Sequence, residues 1–236
     1  MFNAEVKGNL ARLLATENLI VEHRPVETAM FNVKDRVLTL PMWEKASANV
    51  YDMLVGHEVG HALYTPDKWG DEYGIPQSYL NVCEDARIEK LMKRKFPGLA
   101  RNFYSGYKEL QDDDFFCIGD RELDSYALID RVNLYFKIGI HAGEVFSWKP
   151  EEKVIVDELA NAETFEQVVE VARKILAYTE QQEQQQVVEA QPDLQQSTQG
   201  GGDSTPNQGG EGEGEQPQQT SGDGNPVSYT HLRAHE

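Results

Sequence analysis

The chain has 236 residues and carries 40 acidic against 22 basic side chains, a net charge of −18. That length holds one ordinary domain and a tail, or two small domains. No basic stripe is present to neutralise phosphates, which argues against a nucleic-acid or anionic-membrane partner.

Residues 5–18 read as an amphipathic helix with Val6, Leu10, Leu13 and Leu14 on one side. Two short β-prone stretches follow, residues 29–33 and 36–40, around Lys34-Asp35, and they predict a hairpin that Pro41 ends. A helix is expected from Trp43 to about Tyr64, apolar nearly all round and therefore buried. Gly56 and Gly60 weaken it by about 1 kcal/mol each relative to Ala, and leave room beside it for a neighbouring chain or a ligand. Residues 65–76 are rich in Pro, Gly and Asp and read as a loop. A strong helix runs from about Gln77 to Lys95 and stops at Pro97-Gly98, and further helices fit residues 102–111, 122–138, 151–160 and 163–180. The expected fold is thus mainly α, with a short β-hairpin, over residues 1–180.

From Gln181 the composition changes. Residues 181–226 hold 13 Gln, nine Gly and eight acidic residues, with no Lys, Arg or aromatic residue. Such a stretch cannot bury enough apolar surface to offset its ordering entropy and is expected to be a disordered linker or tail. Residues 227–236, Val-Ser-Tyr-Thr-His-Leu-Arg-Ala-His-Glu, resemble the translation of a transposase adapter used in sequencing libraries. The expectation is a reading frame that runs off its insert inside the linker, with a following domain missing. The first ten residues lack a basic and then apolar leader pattern, and no apolar run reaches the ~20 residues of a membrane span. Cys83 and Cys117 form no disulfide framework, so a cytosolic setting is expected.

The chemistry concentrates in His57-Glu58-Val59-Gly60-His61. On a helix, residues four apart share a face, so two imidazoles converge with a carboxylate beside them. This H-E-x-x-H arrangement offers two zinc ligands and, in Glu58, a general base for a metal-bound water. A third ligand is required; the donors available include His23, His141, Cys83, Cys117 and the carboxylates. On the helix from 77 to 95, Leu80, Ile88 and Leu91 lie within about 40° of Glu84, whereas Asp85 is about 100° away and Glu89 about 140°. Glu84 is therefore expected on the core-facing stripe as third ligand, with Asp85 as fallback or as a partner to an imidazole N–H. Cys83 reads as a small core residue. Arg87 is a pairing candidate for Glu58, Asp85 or a substrate carbonyl, and His141, Tyr104 and Tyr107 are candidate donors to an oxyanion.

The two segments His57–Pro66 and Asn81–Glu89 together resemble a family of bacterial and tailed-phage metallopeptidase-like proteins. Its members join a zincin-like N-terminal region, through an acidic low-complexity linker, to a von Willebrand factor A-type domain. They are distantly similar to the T subunit of aerobic cobaltochelatase. The resemblance implies a zinc-dependent peptidase with a peptide or protein substrate and an AAA+ ATPase partner, and it spans residues 1 to about 180 and the linker. A different class of function stays open: a non-proteolytic assembly or chaperone-like module working with an ATPase, its metal structural or its activity gated.

Overall fold

The computed structural model describes residues 4–189, apart from 27, 44–45, 67–70, 119–121 and 140–145. The expected linker beyond residue 189, residues 227–236 and His141 lie outside the described residues.

The described chain is mainly helical with a small three-stranded sheet. It runs α1 (Ala4–Ala15), β1 (Ile20–Arg24), β2 (Met30–Asn32), β3 (Val37–Pro41), α2 (Ala48–Tyr64), α3 (Gln77–Lys95), α4 (Pro97–Asp112), α5 (Leu128–Ile138), α6 (Pro150–Asn161) and α7 (Phe165–Glu189). The hairpin forms as its sequence predicts: β2 pairs antiparallel with β3, Phe31 opposite Leu38. The third strand was not anticipated. β1 adds to the far side of β3 in parallel register, from Ile20 opposite Val37 to Arg24 opposite Pro41, so β3 is central and the order is β1-β3-β2.

The helix boundaries follow local chemistry. The His-bearing helix begins at Ala48, five residues later than expected at Trp43, because the Ser47 side chain caps it by accepting from the Val50 N–H. Pro97 does not separate two helices by a long break. It occupies the first turn of α4, where its missing N–H costs nothing, so α4 starts five residues before the expected 102. The change of composition at Gln181 does not end α7 either; Gln and Glu are good helix formers, and no Gly or Pro occurs before Pro192.

Two apolar clusters fill the interior. One joins α1, the sheet, α2 and α4 through residues such as Leu38, Leu40, Leu54, Val59 and Phe103. The other joins α3, α5, α6 and α7 through Leu80, Cys83, Val132, Val156, Val168 and Ala172. Helices α2 and α3 meet between them. The contact is close because of Gly60, where a Cβ would stand 3.1 Å from Met92 Cγ and 3.2 Å from Ile88 Cδ1. One turn earlier on the same side of α2, a Cβ at Gly56 would meet Leu99 Cδ1 at 3.2 Å and Phe103 Cε2 at 3.3 Å. The space left by both glycines is taken by neighbouring helices.

Polar pins hold α2 in this frame. The Tyr51 hydroxyl accepts from the Trp43 N–H at 2.6 Å and lies 2.9 Å from the Pro41 carbonyl, tying α2 to the end of β3. Arg36, just before β3, donates to the Ala62 carbonyl at 2.8 Å near the other end of the helix.

Candidate metal centre

Helix α3 is buried all round, although it carries four ionisable side chains inside: Glu84, Asp85, Arg87 and Glu89 are 0, 3, 4 and 2% exposed. Burying that much charge costs several kcal/mol per ion unless each finds a partner. Each carboxylate has its own cation. Glu84 takes a bidentate contact from Arg87 at 2.6 and 2.8 Å, Asp85 accepts from Lys137 at 3.0 Å, and Glu89 accepts from Lys93 at 3.0 Å.

Asp85, Ile88, Glu89 and Met92, spaced 0, 3, 4 and 7, form the face of α3 that meets α2. Asp85 Oδ1 lies 3.5 Å from His57 Nε2 and 3.2 Å from His61 Nε2. His57, His61 and Asp85 form a buried group that could hold a metal ion, each offering one ligand atom with all three within 4.8 Å of one another.

The outer nitrogens of both rings are occupied. His57 Nδ1 lies 3.0 Å from Glu89 Oε1, which also accepts from the Tyr107 hydroxyl. Burial tends to raise the Glu89 pKa, but Lys93 and His57 override it and hold the carboxyl at about 2. Ionised Glu89 only accepts, so Nδ1 carries a hydrogen and, in the neutral ring, the lone pair sits on Nε2. His61 Nδ1 lies 2.9 Å from Thr65 Oγ1, whose hydroxyl donates to Glu84 at 2.6 Å. The hydroxyl's proton is thus committed to Glu84, and His61 must donate from Nδ1 as well. Two imidazole lone pairs and a carboxylate oxygen therefore converge on one place.

That convergence is repulsive unless a cation or a proton sits there. Burial by itself lowers the His57 pKa, yet Asp85, Glu89 and Glu58 outweigh it and lift it to about 9. Burial likewise would raise that of Asp85, but Lys137 and the two imidazoles hold it well below the usual carboxylate range. The group favours positive charge, and a divalent cation could supply it on a donor set, two imidazoles and one carboxylate, suited to such an ion.

Glu84 is not in the group. The carboxylate grouped with the two histidines is Asp85, the fallback candidate, and Glu84 closes a relay from Arg87 through Thr65 to His61. The wheel places Glu84 on the apolar, core-facing stripe of α3. In the folded chain much of the apolar surface of α3 faces the second cluster, and Asp85 and Glu89 face the histidines. The spacing of Asp85, Ile88, Glu89 and Met92 was the signal available. Thr65 and Lys137 had none, since Lys137 reaches Asp85 from 52 residues away.

Glu58, on the same helix as the histidines, is 6% exposed and forms no hydrogen bond or ion pair with another described residue. Of the remaining candidates, Cys83 is fully buried in the second cluster, as expected of a core residue. Arg87 pairs with Glu84 and also donates to the Tyr64 and Glu163 carbonyls, locking the end of α2 to the turn before α7. Tyr107 is spent on Glu89, Tyr104 is half exposed, and His23 on β1 and Cys117 after α4 are not among the three grouped ligands.

Among the described residues no helix is long and apolar enough to cross a membrane. Comparison with protein-family models, with curated proteins and with solved structures finds no match to the chain.

Proposed function

We propose that the chain is a zinc-dependent peptidase of zincin type, in which His57, His61 and Asp85 hold the metal and Glu58 is the general base. The observation that carries this reading is the direction of the two imidazoles: both outer nitrogens are tied back, to Glu89 and to Thr65, so both Nε2 atoms face Asp85 Oδ1. Two nitrogens and one carboxylate oxygen are the protein ligands of a catalytic zinc that keeps a further position for water. Zinc held there would polarise that water and bring its pKa toward about 7. Glu58, the acid of the motif and without an ion pair among the described residues, would take the water's proton and pass it to the leaving amine. An extended peptide substrate would add to β2, an edge of the described sheet beside the central β3.

The resemblance of residues 57–66 and 81–89 to phage and bacterial zincin-like proteins supports the same reading, with a cytosolic site of action and an AAA+ ATPase partner for the whole protein. One observation favours the other class, a metal-stabilised assembly module: His57, Glu58 and Asp85 are all under 10% exposed. The two separate on the fourth ligand, because a structural zinc is closed by four side chains, whereas the group here has three among the described residues. The test is Glu58→Gln in the whole chain, assayed on an unbiased peptide library with zinc content measured in parallel. Zinc retained with cleavage lost is the expected result. Full cleavage by the variant removes Glu58 as the base, and absence of cleavage by the wild-type zinc form favours the assembly module.

A further inference from the structure

Lys137 poses a problem that the three ligands do not solve. It comes from α5, its side chain is 4% exposed, and its ammonium donates to Asp85 Oδ2 at 3.0 Å. A buried positive charge directly behind a cation ligand weakens cation binding by simple repulsion. A carboxylate that binds a metal has no need of an ammonium for neutralisation, so the lysine must supply something else.

What it supplies is geometry. The carboxylate's two oxygens are divided: Oδ2 belongs to Lys137, and Oδ1 alone faces the imidazole nitrogens. On the reading that this group holds a divalent cation, we propose that Lys137 is a positioning residue that keeps Asp85 a one-oxygen ligand and thereby tunes the site to zinc rather than to manganese, magnesium or calcium. The harder ions take six or more ligands, mostly oxygens, and calcium readily accepts both oxygens of one carboxylate. Zinc is content with two nitrogens, one oxygen and a water. Capping Oδ2 removes the extra oxygen that the harder ions would use and leaves the zinc set intact. The ammonium's direction fixes the carboxylate's rotation as well, since Asp85 cannot turn about its Cβ–Cγ bond without breaking a buried charged hydrogen bond.

The experiment uses the full chain and two variants. Lys137→Met keeps most of the stem and loses the donor; Lys137→Gln keeps a donor without the charge. Zinc and manganese affinities are measured by chelator competition, with circular dichroism as the check on folding, and zinc-edge X-ray absorption is recorded on the zinc-loaded wild type. Expected are a 10- to 100-fold loss of zinc affinity in Lys137→Met, a fall of about tenfold or more in its zinc-over-manganese preference, and partial recovery of that preference in Lys137→Gln. A purely electrostatic role would shift both affinities in the same direction, so an unchanged preference in folded Lys137→Met overturns the positioning role while leaving the metal site standing. Should Lys137→Met not fold, the wild-type absorption spectrum decides: one carboxylate oxygen on zinc supports the proposal, and two overturn it. A wild type that binds neither metal fails the underlying reading, and this one with it.

Discussion

Thr65→Val is the perturbation that isolates how the metal ligands are held. Valine matches threonine in shape, and the backbone N–H of Thr65, which caps α2 by donating to the His61 carbonyl, is untouched. What disappears is a hydroxyl that accepts from His61 Nδ1 at 2.9 Å and donates to Glu84 Oε1 at 2.6 Å. Glu84 keeps both Arg87 contacts. The part-buried His61 N–H, however, loses this acceptor, at a cost of about 1–3 kcal/mol. The ring can escape that cost by moving its proton to Nε2, and it then has no lone pair for the metal. Zinc affinity should therefore fall about 10- to 100-fold, equivalent to roughly 1.4–2.7 kcal/mol. Chelator competition measures the affinity, and urea melts with and without zinc report how much of the loss is specific to the metal. Thr65→Ser, which keeps the hydroxyl, should stay close to wild type. Zinc affinity within about threefold of wild type in a folded Thr65→Val protein would refute the relay, because the tenfold lower bound follows directly from it.

Three further predictions concern the frame around the site. Gly60→Ala gains about 1 kcal/mol of helix propensity but drives its Cβ against Ile88 Cβ at 3.3 Å and Met92 Cγ at 3.1 Å, and overpacking of 1–3 kcal/mol wins, so the urea midpoint should drop and zinc affinity with it; a rise in the midpoint would contradict the close α2–α3 contact. Asp130 is buried and forms no ion pair among the described residues, and burial lifts its pKa to about 6. Because the folded value lies above the unfolded one, the group destabilises the chain increasingly as pH rises from about 4 through 6; Asp130→Asn should be about 2–3 kcal/mol more stable than wild type at pH 8 and no different below about pH 4, and equal denaturation midpoints at pH 8 would rule this out. In a thiol-labelling assay on the native protein, Cys117 should react at once and Cys83 only after denaturation, since burial, with Asp85 and Glu84 adding to it, pushes the Cys83 thiol far above its ordinary range; two fast equivalents would count against the buried placement of α3.

Much of this fold was legible because its strongest elements announce themselves locally. Helix α3 begins at Gln77 and ends at Lys95 as its pattern and the following proline require, and the β2–β3 hairpin sits where its two β-prone stretches lie. The strand Ile20–Arg24 escaped notice because its five residues mix Glu, His and Arg with only two aliphatics, and only pairing with β3 makes it a strand. The histidine pair was readable for the same reason as α3, since four-residue spacing on a helix is a local fact. The place of Asp85 beside the histidines was not, because choosing between Glu84 and Asp85 requires knowing which side of α3 meets α2. A helix buried on every side has no single core-facing stripe, so the apolar residues flanking Glu84 pointed to the wrong interface. Lys137 and Thr65 matter only through contacts made across the tertiary structure, and no spacing along the chain signals them.

The central claim is that His57, His61 and Asp85, and not Glu84, hold a metal whose remaining position is open. A zinc anomalous-difference map from crystals of the zinc-loaded chain tests it directly. The prediction is one peak bounded by Nε2 of His57, Nε2 of His61 and Oδ1 of Asp85, with Glu84 still on Arg87 and Thr65. A peak ligated by Glu84, a site closed by a fourth side chain, or no peak at these residues would contradict it.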